Sequence, residues 1–222
     1  MSKMKVNLNK TKFHIAVDMD DVCLDFVNSV MDTFYREYGV YPDYDGQSWG
    51  KKAVAFYTHP LFRESGYKSW WEWLKDRDWL WSTFPAVPGA IGGIKRLRES
   101  GHYVECVTSK PEWAEFNVWK WLGKWRPAFH RVTIVNSDRK ERKVDATEAR
   151  LIIDDKLETC LEFVAAGRRA IWFNPSKVQD QWFNVPITDR LVQVWTWDDI
   201  IHAVDNFWEA ECTSSESTQA TA

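Results

Sequence analysis

The chain has 222 residues, 45% hydrophobic and 27% charged, a balance that excludes wholesale disorder and suits one domain or one domain with a sizeable insertion. Its 29 basic and 32 acidic residues leave a net charge of −3, which argues against a protein held to nucleic-acid phosphates by bulk electrostatics. No apolar run is long enough to cross a bilayer, and the first twelve residues lack the apolar stretch of a secretory signal. Four widely spaced cysteines (Cys23, Cys106, Cys160, Cys212) form no metal-type pair and suit a reducing, cytoplasmic setting.

In chain order, the first strand is expected at residues 13–18, an apolar stretch ending in Asp18-Met19-Asp20-Asp21. A helix over 24–38 follows, with Phe26, Val27, Val30, Met31 and Phe34 on one stripe and Gly39 as its stop. Residues 41–84 break the rhythm. They hold Pro42, Gly46, Gly50, Pro60 and Gly66, and six of the chain's 15 tryptophans lie between Trp49 and Trp81. That stretch is too long for a strand–helix loop and reads as a small, mostly helical insertion over one end of a sheet. Beyond it, helices at 90–100, 112–125 and 156–166 alternate with strands at 103–108, 131–135, 151–154 and 169–173. The alternation predicts an α/β fold, a Rossmann-like three-layer domain with a parallel sheet. Residues 13–40 and 85–210 would form this core, 41–84 a Trp-rich cap, and the small, polar residues 211–222 a disordered tail.

Polar residues gather where strands end. Asp18 and Asp20 follow the first, Thr108-Ser109-Lys110 the second, and Asp154-Asp155-Lys156 the fourth. In open parallel sheets ligands bind beyond the carboxyl ends of the strands, so these groups would share one crevice. Clustered carboxylates repel unless a cation sits among them, and oxygen-only donors suit a hard ion such as Mg²⁺. Each piece alone has an ordinary explanation: Asp21 reads equally well as a helix N-cap, and Asp155 or Lys156 could simply begin the next helix. Their combination points to a site.

The segments Val17-Asp18-Met19-Asp20-Asp21-Val22, Val107-Thr108-Ser109 and Leu151-Ile152-Ile153-Asp154-Asp155 resemble the motifs of the haloacid-dehalogenase-like (HAD-like) phosphatases. With Phe26 and Val87-Pro88-Gly89-Ala90 added, they are similar to the 5'(3')-deoxyribonucleotidases. The resemblance implies a phosphate monoester hydrolase that works through an aspartyl-phosphate. It makes Asp18 the nucleophile, Asp20 the general acid and base, and Thr108 with an upstream lysine the holders of the phosphoryl oxygens. It makes Asp18, Asp20, Asp154 and Asp155 the Mg²⁺ ligands, and sets Phe26 and Ser109 against the substrate. Two lysines compete for the phosphoryl role, and Lys143, 11 residues before Asp154, is favoured over Lys140. The family usually has Gly where this chain has Asp21.

The implied substrate is a small nucleoside monophosphate; neither membrane nor nucleic acid is an expected partner, and a homodimer stays open. Three other readings compete: a general small-molecule phosphatase whose cap is only a lid, a catalytically silent nucleotide-binding protein, and a nucleic-acid end-processing phosphatase. The last would use Lys120-Trp121-Leu122-Gly123-Lys124-Trp125-Arg126. A helix face with snorkelling Lys and Arg explains that run at least as well. Among Trp70, Trp71, Trp73, Trp79 and Trp81, most are expected to be cap core.

Overall fold

The computed structural model describes residues 12–40, 56–175 and 188–219, with side chains of the last helix described as far as residue 213. Its centre is a parallel sheet of β1 (His14–Val17), β2 (Tyr103–Lys110), β3 (Arg131–Asn136), β4 (Leu151–Asp154), β5 (Arg169–Phe173) and β6 (Leu191–Val194), ordered β3-β2-β1-β4-β5-β6. The winding reverses between β1 and β4, and such a reversal opens a crevice at the carboxyl ends. Register decides what meets there. Val17 pairs with Ile153, so Asp18 follows beside Asp154, and the Asp18 amide donates to the Ile153 carbonyl at 2.9 Å.

Helices cover both faces, as the strand–helix alternation predicts. On one side Ile15, Val17, Val104, Cys106 and Ile153 pack with α1 (Phe26–Tyr38), and with the cap helices α2 (Leu61–Glu64), α3 (Trp70–Lys75) and α4 (Leu80–Thr83). The same layer holds α5 (Ala90–Glu99), α6 (Glu115–Trp125) and the terminal helix. On the other side Ala16, Val107, Ile152 and Ala170 pack with α7 (Lys143–Ala146) and α8 (Leu157–Ala165). Helix α1 buries all five stripe residues and ends at Gly39, whose positive φ of 71° lets its amide reach the Tyr35 carbonyl.

The inserted segment is helical and aromatic over its described part, residues 56–84. Phe34 of α1 packs against Phe56, Phe62 and Trp73, which joins cap and core in one apolar cluster. Residues 41–55, with Pro42, Gly46, Trp49 and Gly50, lie outside the described residues.

Two elements go beyond the sequence reading. Strand β6 extends the sheet, and α9 (Trp197–Gln219) covers it. Thr196 and Asp199 start α9 with a reciprocal cap: the Asp199 amide donates to Thr196 Oγ1 and the Thr196 amide to Asp199 Oδ2. The helix continues through 211–219, where a disordered tail was expected, and the Glu211 carboxylate lies 2.6 Å from Arg150. Among the described residues no helix is long and apolar enough to cross a membrane.

Trp197 closes the underside of the first motif's loop, its indole Nε1 donating to the Val22 carbonyl at 2.9 Å. Gly93 of α5 makes room for that ring: a Cβ there would lie 2.2 Å from Trp197 Cε3. Gly93→Ala is therefore expected to cost about 1–3 kcal/mol through overpacking. Gly92→Ala, whose Cβ would meet nothing within 4 Å, is expected to gain about 0.4–1 kcal/mol. Urea unfolding of the two variants checks the contrast.

Candidate active site

Strand alternation sorts the site residues by face. Ala16 packs toward α7 and α8, so Asp18, two residues on, leaves β1 on that side; Ile152 and Asp154 repeat the pattern on β4. Helix α7 begins on the same side with Lys143. Its Nζ lies 2.7 Å from Asp18 Oδ1 and 2.7 Å from Asp154 Oδ2, and all three residues are buried. Lys140 closes the short turn at 137–139 with φ 54° and is exposed. The structure thus brings Lys143, not Lys140, to the acids.

Ligand oxygens of Asp18, Asp154 and Asp155 lie within 4.8 Å of one another. Burial lifts the Asp154 pKa to about 6 despite the pull of Lys143, and lifts Asp155 well above the carboxylate range, with Asp154 and Asp21 adding to the rise. For Asp18 burial opposes ionisation, yet the ammonium groups of Lys143, Lys156 and Lys110 outweigh it and hold that carboxyl below its usual value. Burial also works against the charge on Lys143, but Asp154 and Asp18 raise its pKa and keep it protonated. Asp155 Oδ1 is buried without a hydrogen-bond partner. Crowded, oxygen-only donors with an unsatisfied atom fit a hard divalent cation.

Asp20 does not join that set. The chain leaves extended geometry after Val17, and the Cys23 and Leu24 amides fold back onto the Met19 carbonyl at 2.9 and 2.8 Å. The turn sends the Asp20 carboxylate to an ion pair with Lys110. At φ 54°, Asp21 adopts the left-handed conformation, one that Asp tolerates better than most residues. The N-cap position of α1 falls to Asp25 rather than to Asp21, but Asp21 Oδ1 accepts the amides of Phe26 and Val27 at 3.0 Å each and so satisfies the first turn from upstream. Burial lifts its pKa to about 8, with Asp20 and Asp25 adding to the rise.

Beyond the acids lies a cavity of about 790 Å³. Asp20, Ser109, Lys110, Asp155 and Lys156 form part of its charged and polar wall, and Phe26, Tyr57, Trp70, Trp71 and Trp81 its aromatic wall. Trp81 stacks on Phe26 at 5.3 Å and Tyr57 on Trp70 at 4.3 Å between ring centroids. Trp73 is buried in the cap core, while Trp79 is 51% exposed. Thr108 is fully buried, with an Oγ1 that has no hydrogen-bond partner. Sequence reasoning set Lys110 and Lys156 at the crevice without a chemical role, and did not single out Tyr57. A signal for Lys110 existed: Val104, Cys106, Thr108 and Lys110 occupy alternate positions on one face of β2.

Solved structures share this fold at low sequence identity. YfnB from Bacillus subtilis, described as a HAD-hydrolase and bound to magnesium, superposes with a TM-score of 0.60 at 17% identity, covering 87% of this chain and 99% of that one. A dehalogenase solved with an intermediate complex gives 0.56 at 12% identity over 86% and 96%. The haloacid dehalogenase-like family protein SP0104 from Streptococcus pneumoniae gives 0.53 at 11% over 86% and 98%. No curated protein sequence matches the chain. The family model described as 5' nucleotidase, deoxy (pyrimidine), cytosolic type C protein (NT5C) matches residues 12–204, and with a buried acid cluster of the kind a phosphohydrolase needs, the chain belongs to that family.

Proposed function

We propose that the protein is a Mg²⁺-dependent nucleotidase that dephosphorylates pyrimidine deoxynucleoside monophosphates through an aspartyl-phosphate on Asp18. One observation carries the reading: Asp18 is held between Lys143 and the Asp154–Asp155 pair, beside an aromatic-walled cavity of about 790 Å³. That volume falls within the usual range for small-molecule sites. The family's description supplies the pyrimidine deoxynucleotide, and magnesium in YfnB supports the choice of metal. A cytoplasmic location is part of the reading, supported by the unpaired, buried thiols of Cys23, Cys106 and Cys160.

Mg²⁺ bound by Asp18, Asp154 and Asp155 would supply positive charge that offsets repulsion between the Asp18 carboxylate and the substrate phosphate. Asp18 forms a bond to phosphorus as the bond to the nucleoside oxygen breaks, and Asp20 donates its proton to that departing oxygen. Asp20 then takes a proton from water; the water oxygen attacks phosphorus, inorganic phosphate leaves, and Asp18 is regenerated. Lys143 and the unpartnered hydroxyl of Thr108 stabilise the transferring phosphoryl oxygens. Phe26 and Trp81 already touch each other and Trp81 is fully buried, so a base fits against the half-buried rings of Tyr57, Trp70 and Trp71 and the edge of Phe26 rather than between the pair. Aromatic faces at the cavity wall favour the nucleotidase over the general-phosphatase reading.

Phosphate release in Mg²⁺ is expected to be fastest with pyrimidine deoxynucleoside monophosphates. Asp18→Asn should abolish it and Asp20→Asn should slow it about 10²–10⁴-fold. Equal rates on simple sugar phosphates would instead support a general phosphatase. Lys143→Met is expected to damage turnover far more than Lys140→Met, because a buried charge contact outweighs an exposed one; steady-state kinetics of both variants decide. Calorimetry should show Mg²⁺ raising the melting temperature of the wild type, since saturation at 100 times Kd adds about 2.7 kcal/mol. Asp155→Asn should lose most of that rise.

A further inference from the structure

One ion pair in the cavity wall has no task in this scheme. Lys110, the last residue of β2, is 1% exposed, and its ammonium group pairs with the Asp20 carboxylate. A lysine is buried this deeply only where partners hold it. The ammonium has a second neighbour: Nζ stands 5.7 Å from the centroid of the Trp81 ring, within cation–π range. Trp81 belongs to α4 of the inserted segment, is fully buried, and is itself fixed by Phe26 and by Trp113, each with ring centroids 5.3 Å away. Lys110 is thus fixed by a core carboxylate and a cap ring. Asp20 needs such a guide, because it sits on a turn rather than on β1, and its Oδ1 has no hydrogen-bond partner.

We propose that Lys110 is a positioning residue: seated against Trp81 of the cap, it binds one oxygen of Asp20 and so aims the other at the leaving-group oxygen. The proposal rests on the reading of Asp20 as acid and base. Oδ2 is taken by Lys110, which leaves Oδ1 as the oxygen that exchanges protons with the leaving group and then with water. Cap seating and proton transfer are coupled through a single ammonium group. If ring 81 shifts, Lys110 loosens, and Asp20 turns away from the reacting oxygen.

A double-mutant cycle tests this. Phosphate release from one deoxynucleoside monophosphate is measured for the wild type, Lys110→Met, Asp20→Asn and the double variant. Positioning requires Lys110→Met to lower kcat by about 10- to 100-fold, since a misplacement of about 1 Å can cost about 100-fold. KM should change by less than about threefold. In the Asp20→Asn background the same substitution should cost less than about twofold, because the group it positions no longer transfers protons. Trp81→Leu should likewise lower kcat more in the wild-type background than in Lys110→Met. Lys110→Gln, run in parallel with circular dichroism on every variant, reads the same cycle if the methionine variant does not fold. Equal losses in both backgrounds would overturn the proposal and make Lys110 a direct phosphate contact; so would a rise in KM with kcat intact. A wild type that releases no phosphate, or an Asp20→Asn protein at wild-type rate, would remove the nucleotidase reading and this role with it. That outcome is separable from additive losses, which remove the role alone.

Discussion

The architecture of the site follows from one electrostatic constraint: three carboxylates, two buried and one half-buried, lie side by side at the ends of β1 and β4. Unit charges 4 Å apart interact by about 4 kcal/mol at the effective dielectric of a protein surface, and more strongly inside. The chain relieves the repulsion between Asp18 and Asp154 with one ammonium group placed between them. That ammonium begins α7, a helix of only four residues, too short to hold itself together. Packing fixes it instead. Val144 is buried against the second face of the sheet, and the Arg168 guanidinium donates to the Val144 and Thr147 carbonyls at 3.1 and 2.7 Å. Arg168 thereby anchors the position of Lys143 without touching the acids.

The two faces of the sheet supply different chemistry. From the α7–α8 side come Lys143 and the carboxylates it pairs with; from the cap side come the rings, with Lys110 and Thr108 at the end of β2. The loop between β1 and α1 joins the two. Asp21 holds the amides of Phe26 and Val27, so the turn carrying the acids also sets where the first aromatic wall residue stands. An acidic residue at a left-handed position costs some strain and desolvation, and two backbone hydrogen bonds offset it.

Much of this was legible in the sequence because it rests on local pattern. The apolar runs at 151–154 and 169–173 coincide with β4 and β5, and the stripe from Phe26 to Phe34 is wholly buried. What escaped was set by geometry that pattern does not encode. β6 has four residues, two of them half-buried, too short a run to stand out from a loop. Residues 211–219 are small and polar, but they continue a helix already nucleated by the cap at Thr196. The resemblance sets Asp20 among the metal ligands, but β1 stops at Val17, and the turn that follows directs the Asp20 side chain to Lys110. The sequence sets Lys110 with Thr108-Ser109 at the crevice end of the strand, and its inward position on β2 is what buries it beside Asp20. Lys143 and Lys140 differ by three residues in sequence, and only the short helix separates their fates.

The hydrogen bond from Trp197 to Val22 spans 175 residues. Asp18, Asp20, Lys143, Asp154 and Asp155 all precede Trp197 in the chain. During synthesis every one of these groups leaves the ribosome before the indole that closes the loop after Asp18. Long-range contacts of this kind form late, after the entropy of joining distant segments has been met. A nascent chain can carry all the acids and still lack the indole that settles the loop after Asp18. Extension of the chain as far as Trp197 is then what completes the floor of the loop that carries Asp18 and Asp20.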